Sequence, residues 1–435
     1  MASFEVMGGN KLAGSIKPQG AKNEVLQILC AVILTDEDIT IHNIPNIIDV
    51  NILIELLCDM GVSVINHADN SKTFNAKNIQ SDYFITESFR KKSSHLRGSV
   101  MLAGPMLARF KKAYLPKPGG DKIGRRRLDT HILGLQKLGA IYKYDTVSSE
   151  YILHCSELIG TNILLDEPSV TGTANIIMAA VLATGITTIY NAACEPYIQQ
   201  LCKLLVQMGA KISGIGSNFI TIEGVQKLKG GISHTILPDM IEIGSFIGLA
   251  AMTQSELTIK DCGINHLGIM VEKFEKLGIK IEIKKDDIFI PAQEIYQIQT
   301  YLDGGVLTIY DHPWPGFTPD LLSIILVVAT QAAGCVLVHQ KMFESRLFFV
   351  DNLISMGAQI ILCDPHRATV IGLARKHALR GITMNSPDIR AGQAMLIAAL
   401  AAKGKSIIHN IEQIDRGYES IDIRLNSLGA NIKRF

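Results

Sequence analysis

Basic side chains stand where two helices are expected to begin. Lys22 opens an apolar helical run, and Arg97 has the same place before a second run. A helix N-terminus carries free N–H groups and the positive end of the helix dipole, so a cation there is unfavourable on its own. The two positions therefore predict contact with an anionic ligand.

A glycine-rich loop joins a carboxylate to a dense basic cluster. Residues 118–131 read PGGDKIGRRRLDTH, and arginines recur in two later loops, 343–346 (FESR) and 415–418 (DRGY). Guanidinium groups bind phosphate and carboxylate with paired hydrogen bonds, so convergent arginines suit a small ligand that carries both groups. For the cluster taken alone, a solvated basic face is the alternative interpretation.

Polar residues open the other apolar helices. Ser169, Asp239, Asp320 and Asp388 each stand at a predicted helix start. A short polar side chain at such a place accepts hydrogen bonds from the free N–H groups of the first turn. N-capping is therefore the favoured interpretation of Asp239 and Asp388.

An internal repeat supplies the elements that must position these residues. A tripeptide of the form Leu/Met-Gly-Ala/Val/Ile occurs six times, each copy between a helical pattern and an alternating strand. The glycine is predicted to end the helix in a left-handed conformation. Together with the apolar runs upstream, each unit is predicted as strand, helix, strand, helix, strand, strand. The six glycines are Gly61, Gly139, Gly209, Gly278, Gly357 and Gly429.

Six such units predict an α/β protein of two lobes with three units in each. The N-terminal strands are expected to complete the sheet of the last unit. Residues 22–236 would then form an inserted domain, and residues 1–21 plus 237–435 would form the second domain. If the lobes face each other, the arginine loops of several units converge.

Composition excludes several classes of protein. The 435 residues are 47% hydrophobic and 19% charged, with a formal net charge of +1, which favours neither nucleic acid nor a membrane as a partner. The apolar stretch 321–338 is interrupted by polar residues and is predicted as a buried helix followed by a buried strand. No signal peptide is recognisable and the eight cysteines have no metal-binding spacing, so we expect a cytoplasmic protein without metal or cofactor.

Three motifs resemble those of the UDP-N-acetylglucosamine 1-carboxyvinyltransferase family. The motifs are Gly20-Ala21-Lys22-Asn23, PGG at 118–120 followed by IG at 123–124, and IDRGYE at 414–419, and the resemblance runs over residues 4–433. The sister family, the 5-enolpyruvylshikimate-3-phosphate synthases, shares the six-unit architecture. It has Lys-Ser in place of Lys22-Asn23 and lacks the Asp-Arg-Gly-Tyr loop.

The resemblance implies a fold and an activity. Members of the family fold as two inside-out α/β barrels (α/β prisms) of three βαβαββ units each. They transfer the enolpyruvyl group of phosphoenolpyruvate to the 3′-hydroxyl of UDP-N-acetylglucosamine and release phosphate, the first committed step of peptidoglycan synthesis. Neither a metal nor a cofactor takes part, so the expected partners are the two substrates.

The resemblance also implies roles for particular residues. Lys22, Arg126 and Arg416 would hold phosphoenolpyruvate, and Arg346 and Arg390 would bind its carboxylate. Contacts to the UDP-sugar would come from a larger set: Asn23, Arg97, Arg126, Arg127, Leu128, Asp129, Thr130, Ser169, Val170, Asp320 and Met342.

The chain departs from the family pattern at its presumed proton donor. Asp121 stands where most members have a cysteine, and we expect it to protonate C3 of phosphoenolpyruvate as the general acid. Asp320 would take the proton from the sugar 3′-hydroxyl. Fosfomycin inhibits this family by alkylating the loop cysteine, so Asp121 also predicts resistance to fosfomycin. Further departures lie within the expected UDP-sugar contacts, at Arg127-Leu128, and directly after them, at Thr171-Gly172-Thr173.

Two other functions stay open. The first is enolpyruvyl transfer to shikimate 3-phosphate, and the second is binding of a UDP-sugar without catalysis. Phosphate release with each acceptor would separate these functions. The presence of Lys22, Arg126, Asp320 and Arg416 disfavours pure binding, because a binding protein has no need of the phosphoenolpyruvate contacts.

Overall fold

Strands and helices are interspersed in the computed structural model, which describes residues 2–120, 124 and 126–435. The strands are β1 (Ser3–Met7), β2 (Ala13–Ile16), β3 (Ile39–His42), β4 (Ser63–Asn66), β5 (Lys72–Asn75), β6 (Lys112–Pro116), β7 (Ile141–Asp145), β8 (Glu150–His154), β9 (Asn162–Leu164), β10 (Ile186–Tyr190), β11 (Lys211–Ser213), β12 (Phe219–Glu223), β13 (Ile232–Thr235), β14 (Glu256–Ile259), β15 (Glu282–Lys284), β16 (Asp287–Ile290), β17 (Leu307–Tyr310), β18 (Ala333–His339), β19 (Gln359–Asp364), β20 (Arg367–Leu373), β21 (Thr383–Asn385), β22 (Lys405–His409) and β23 (Ile432–Arg434).

The helices range from one turn to more than three turns. They are α1 (Lys22–Ala31), α2 (Ile48–Asp59), α3 (Glu87–His95), α4 (Ala103–Phe110), α5 (Asp129–Lys137), α6 (Val170–Ala180), α7 (Pro196–Gln207), α8 (Met240–Met252), α9 (Met270–Lys276), α10 (Leu322–Ala329), α11 (Val350–Ser355), α12 (Ile389–Ala401), α13 (Glu412–Asp415) and α14 (Ile421–Asn426). Short 3-10 helices cover Val32–Leu34, Ser81–Ile85, Arg97–Leu102, Ile264–His266 and Pro319–Leu321.

The chain divides into two compact units. The central unit contains residues 20–120 and 126–237, and the terminal unit contains residues 2–19, 124 and 238–435. Each unit has a hydrophobic core of its own, built from apolar side chains of that unit alone.

Small sheets surround buried helices in the central unit. The sheets among its described residues have the strand orders β13-β3-β5-β4, β6-β8-β7 and β11-β12-β10-β9. The helices α1, α4 and α6 are buried along most of their length. A helix that is apolar on all sides has to lie inside a protein, so these helices occupy the centre and the sheets face outward.

The terminal unit repeats this arrangement. Its described residues form sheets of the orders β15-β16-β14-β2, β17-β18-β20-β19 and β21-β22-β1-β23, and its buried helices are α8, α10 and α12. Every residue of α10 is buried, and β18 follows it. The apolar stretch 321–338 is therefore a buried helix followed by a strand, as predicted, but only Val336 and Val338 of the strand are buried. No helix in the described part of the chain is long and apolar enough to cross a membrane.

The predicted repeat is present in the sheets. β10 pairs in parallel with β9 and antiparallel with β12, which pairs antiparallel with β11. The other four-stranded sheets combine one parallel pair with two antiparallel pairs in the same way. The six repeat glycines all have left-handed φ values, from +90° to +104°. The predicted α/β class, with helices inside and sheets outside, is confirmed.

Two details differ from the expected repeat. The sheet β6-β8-β7 has three strands, and a 3-10 helix and α3 precede it where the other units have a parallel strand. The N-terminal strands also separate: β1 pairs with β22 and β23 of the last sheet, as expected, but β2 pairs in parallel with β14. The expectation that both strands complete the last sheet was therefore wrong for β2.

Candidate active site

Lys22 is the first residue of α1 and pairs with an acidic side chain of α2. Its Nζ lies 2.6 Å from Oδ2 of Asp49, and both side chains are less than a tenth exposed. Two buried charges are tolerated only when they are paired, so Asp49 helps to hold the lysine at a helix N-terminus. The sequence predicted an anion beside Lys22 but did not identify Asp49, which resembles any acidic residue in the first turn of a helix.

Arg97 and Arg126 lie together. Nη2 of Arg97 donates a hydrogen bond to the backbone oxygen of Arg126 at 2.7 Å. Burial, with the positive charge of Arg126 as the second cause, lowers the pKa of Arg97 to about 10. A Cβ atom on Gly120 would come within 3.0 Å of Cβ of Arg97, so the loop can lie this close to Arg97 only with glycine at position 120. Two cations held this close favour the binding of an anion.

The starts of α5 and α6 carry several of the expected UDP-sugar contacts. Oγ1 of Thr130 donates to Oδ1 of Asp166 at 2.7 Å. Oγ of Ser169 caps α6 by accepting a hydrogen bond from the backbone N–H of Gly172 at 3.3 Å, and Val170 is the first residue of that helix. Free N–H groups at a helix start can bind a phosphate, so this turn has the chemistry expected of it.

The remaining predicted UDP-sugar residues of the central unit have different exposures. Arg127 and Asp129 are exposed, and Asn23 is partly buried beside Lys22. The side chain of Leu128 belongs to the hydrophobic core of the central unit. A contact from Leu128 to a ligand would therefore use its backbone.

A buried network that the sequence did not reveal connects three helical elements. Nδ2 of Asn175 in α6 donates to the backbone oxygen of Val100 at 2.7 Å and to Nδ1 of His131 at 2.9 Å. Burial lowers the pKa of His131 to about 3, so the ring is neutral. Because Nδ1 accepts a hydrogen bond, the proton belongs on Nε2, which donates to Oγ1 of Thr171 at 3.0 Å.

In the terminal unit, Asp320 lies between two arginines. Nη2 of Arg346 is 2.6 Å from Oδ1 of Asp320, and Nε and Nη2 of Arg390 are each 3.1 Å from Oδ2. The side chains are 17%, 10% and 6% exposed in the order Asp320, Arg346, Arg390. The structure thus brings together three of the residues predicted from the sequence.

Arg390 is further held by an aromatic side chain. Its Nη1 donates to Oη of Tyr418 at 3.3 Å, and that oxygen lies 3.4 Å from Oγ of Ser245. Burial acts to lower the pKa of Arg390, but the charge of Asp320 raises it overall. Arg390 is therefore a fixed cation in a buried place.

The predicted N-caps are confirmed. Oδ1 of Asp388 accepts hydrogen bonds from the backbone N–H groups of Arg390 and Ala391 at 2.8 Å and 2.9 Å. Oδ1 of Asp239 accepts one from Ile241 at 2.8 Å. Asp388 therefore fixes the turn of α12 from which the side chain of Arg390 extends.

The loops that carry Arg416 and Met342 are each fixed by a neighbouring charge. Nη1 and Nη2 of Arg434 contact the two carboxylate oxygens of Asp415 at 2.7 Å and 2.9 Å. Asp311 is fully buried and accepts hydrogen bonds from the backbone N–H groups of Lys341 and Met342 at 2.5 Å and 3.1 Å. Burial raises the pKa of Asp311. The sequence did not single out Arg434 or Asp311.

Asp121, the expected general acid, lies outside the described residues. Its described neighbour Gly124 has a φ of +120°, and a Cβ atom there would come within 2.9 Å of Oε2 of Glu344. Within residues 2–120, 124 and 126–435, no three His, Cys, Asp or Glu side chains group as metal ligands.

The chain is similar to known proteins along nearly its whole length. The sequence profile of the family EPSP synthase (3-phosphoshikimate 1-carboxyvinyltransferase) matches residues 6–425. The chain is 64% identical to the UDP-N-acetylglucosamine 1-carboxyvinyltransferase of Bacteroides fragilis over 434 residues, which cover 100% of both chains. The enzyme of the same name from Porphyromonas gingivalis is 63% identical, also over 100% of both chains.

Solved structures with much lower identity share the fold. The enolpyruvyl transferase NikO from Streptomyces tendae superposes with a TM-score of 0.87 at 19% identity, covering 100% of this chain and 99% of that one. An EPSP synthase from Acinetobacter baumannii gives a TM-score of 0.73 at 16% identity, covering 100% of both chains. From the full-length identity, the chain belongs to the UDP-N-acetylglucosamine 1-carboxyvinyltransferase family, within the wider EPSP synthase family.

Proposed function

We propose that this chain transfers the enolpyruvyl group of phosphoenolpyruvate to the 3′-hydroxyl of UDP-N-acetylglucosamine and releases phosphate. The observation that carries the proposal is the 64% identity to a relative of that name along the entire chain. The reaction would be the first committed step of peptidoglycan synthesis. We place it in the cytoplasm, in keeping with eight cysteines that all have free thiols.

Phosphoenolpyruvate would be bound by basic side chains. Lys22, Arg126 and Arg416 suit its phosphate, and Arg346 and Arg390 suit its carboxylate. In the structure Arg346 and Arg390 already hold a carboxylate, that of Asp320, with N···O distances from 2.6 Å to 3.1 Å. Their ability to bind one carboxylate supports the assignment to another.

The UDP-sugar would be bound mainly by the central unit. Arg97 and Arg126 supply positive charge for the diphosphate, and the capped start of α6 at Ser169 and Val170 supplies N–H donors. Asn23 and Thr130 can form hydrogen bonds with the sugar or the base. Arg127 and Asp129 would contact the UDP-sugar through their side chains, and Leu128 would contact it through its backbone. Met342, also expected to contact the UDP-sugar, is 41% exposed.

The chemistry needs a base and an acid. The sugar oxygen attacks C2 of phosphoenolpyruvate while C3 gains a proton. Loss of a proton from C3 and of phosphate from C2 then gives the enolpyruvyl ether. Asp320 would accept the proton of the 3′-hydroxyl, since its two arginine contacts fix the direction of the carboxylate. Asp121 would donate the proton to C3.

Phosphate release tests the proposal. We expect release from phosphoenolpyruvate with UDP-N-acetylglucosamine and none above background with shikimate 3-phosphate. Release with shikimate 3-phosphate alone would identify the sister activity. Binding of UDP-N-acetylglucosamine without any release would identify a binding protein.

A further inference from the structure

Gln19 is a buried residue directly before the Gly20-Ala21-Lys22-Asn23 motif, and its side chain contacts a distant loop. Its Nε2 donates to the backbone oxygen of Gly417 at 2.8 Å. Its Oε1 accepts from the backbone N–H of Glu419 at 2.7 Å. The side chain is only 6% exposed, and both ends of its carboxamide are used. Both hydrogen bonds are made to the backbone of the turn that begins at Arg416.

The turn itself has little room to adjust. A Cβ atom on Gly417 would come within 2.4 Å of Cγ2 of Ile389, so the backbone lies directly against α12. The residue before it, Arg416, is expected to bind phosphoenolpyruvate. A change in the path of this backbone would therefore move the Arg416 guanidinium relative to its ligand.

The backbone of Gln19 is fixed by a buried ion pair. Its N–H donates to Oε2 of Glu242 at 2.7 Å, and its oxygen accepts from the N–H of Asp239 at 2.8 Å. The carboxylate of Glu242 receives Nη1 and Nη2 of Arg424 at 2.5 Å and 3.1 Å. Gln19 thus approaches the Arg416 turn from a rigid support.

The internal repeat provides a comparison within the same chain. At the corresponding place in the central unit, the N–H of Leu237 donates to Oε2 of Glu24 at 3.2 Å. The backbone oxygen of Leu237 accepts from the N–H of Ala21 at 2.8 Å, as that of Gln19 does from Asp239. The same backbone arrangement is therefore made with a leucine, and the carboxamide of Gln19 is not needed for it.

We propose that Gln19 is a positioning residue for phosphoenolpyruvate binding, which acts through the backbone of the Arg416 turn and touches neither substrate. This inference rests on the proposed function, because it takes Arg416 as a phosphoenolpyruvate ligand.

The test replaces Gln19 with the residue that the repeat uses. In Gln19→Leu the backbone bonds to Glu242 and Asp239 persist, but the Arg416 turn loses both contacts. We expect the KM for phosphoenolpyruvate to rise by about tenfold, because two hydrogen bonds and the position of a ligand are lost. The KM for UDP-N-acetylglucosamine should change by less than about twofold. Gln19→Glu keeps the acceptor for Glu419 and should give an intermediate rise.

A matched control separates positioning from the loss of a buried glutamine side chain in general. Gln331, 4% exposed, follows α10 in the same unit, and Gln331→Leu makes the same replacement without a selective effect on phosphoenolpyruvate. Hydrogen–deuterium exchange of peptides covering residues 411–420 should be faster in Gln19→Leu than in wild type and unchanged in Gln331→Leu. This readout does not depend on activity, and it can also be made on Gln19→Glu if Gln19→Leu does not fold.

Several results would overturn the inference. Unchanged exchange in residues 411–420 would show that Gln19 does not fix the turn, whatever the chain catalyses. An equal rise of both KM values, or the same selective rise in Gln331→Leu, would show that Gln19 has only a structural role. Absence of phosphate release by the wild-type protein would refute the proposed function instead.

Discussion

At the scale of single residues, Asp320 combines two tasks in one carboxylate. It pairs with Arg346 and Arg390, and we assign it the proton of the sugar hydroxyl. Asp320→Asn keeps the size of the side chain but removes the base, so kcat should fall by about 10²- to 10⁴-fold. Binding of UDP-N-acetylglucosamine, measured by calorimetry, should persist. A kcat within tenfold of wild type would exclude Asp320 as the base.

Asp121 carries the second prediction at this scale. As the only expected proton donor, it should be indispensable, so Asp121→Asn should lose nearly all turnover while it still binds the UDP-sugar. A carboxylate reacts with the fosfomycin epoxide much less readily than a thiolate does. The wild-type protein should therefore resist fosfomycin, and Asp121→Cys should be inactivated with time.

Mass spectrometry provides the control for the fosfomycin prediction. The eight native cysteines are present in both proteins, so an adduct must appear in Asp121→Cys at residue 121 and not in wild type. Covalent inactivation of the wild type at low fosfomycin concentration would contradict the prediction. Full turnover in Asp121→Asn would remove Asp121 from the mechanism.

The sequence suggested candidate reactive residues but not the residues that contact them. Lys22 and Arg97 stood out because a cation is unfavourable at a helix start, and the roles of Asp320 and Arg390 followed from the family resemblance. The residues that contact the candidate site gave no such signal. Asp49 is separated from Lys22 by α1 and β3, and Gln19 is 398 residues away from Gly417, which it contacts next to Arg416. Such partners are set by the packing of distant elements, and a single sequence contains no local signal for them.

At the scale of elements, the cap of α12 fixes both a helix and a site residue. Asp388 accepts two backbone hydrogen bonds at the start of the helix, one of them from Arg390. Asp388→Ala should lower the free energy of unfolding by about 1–2 kcal/mol and also reduce kcat/KM, because the turn that carries Arg390 loosens. Asp388→Ser should restore most of both. Denaturant unfolding and steady-state kinetics measure the two effects.

A second cap serves as the control for this prediction. Oγ1 of Thr86 accepts a hydrogen bond from the N–H of Phe89 at the start of α3, whose first turn carries no candidate site residue. Thr86→Ala should cost a similar amount of stability and leave kcat/KM unchanged. Equal kinetic losses in the two variants would show that the effect of Asp388 is only global.

The contact between α5 and α6 should make stability depend on pH. Burial, with the charge of Arg97 as a second cause, lowers the pKa of His131 from 6.5 to about 3. Below pH 6.5 the unfolded chain takes up a proton at this ring and the folded chain does not. The free energy of unfolding should therefore fall with decreasing pH between about 6.5 and 3, by at most about 1.4 kcal/mol per pH unit from this group.

A variant without the ring isolates the effect. His131→Gln can still hydrogen-bond to Asn175 and Thr171 but does not titrate. Its free energy of unfolding, measured in denaturant at pH 7, 6 and 5, should decline less steeply than that of wild type. Parallel declines would show that His131 accepts a proton in the folded state.

The order of strands and helices was predictable because the repeat occurs six times in the sequence. Its glycines end helices with φ values of +90° to +104°, a conformation that other residues rarely adopt. The departures were not predictable in the same way. β2 pairs with β14 instead of joining the last sheet, and strand partners depend on contacts that lie far apart in the sequence. Local pattern fixes which element forms, and tertiary packing decides its neighbour.

At the scale of the whole molecule, the central unit has the features of a domain that folds alone. Its core is built from its own side chains. Its last strand, β13, pairs with β3 near its beginning, and the N–H of Ala21 donates to the backbone oxygen of Leu237 at 2.8 Å. The two ends of the segment thus lie side by side, as is common for independent domains. A fragment of residues 20–237 should therefore fold without the rest of the chain.

Cooperative unfolding of the fragment, followed by circular dichroism in denaturant, measures this directly. A shorter fragment, residues 20–224, is the matched control. It lacks β13, so β3 loses its parallel neighbour and the first sheet is left with an open edge. The shorter fragment should unfold at lower denaturant concentration or aggregate. If both fragments are equally unfolded, the core of the central unit does not suffice, and folding depends on residues of the terminal unit.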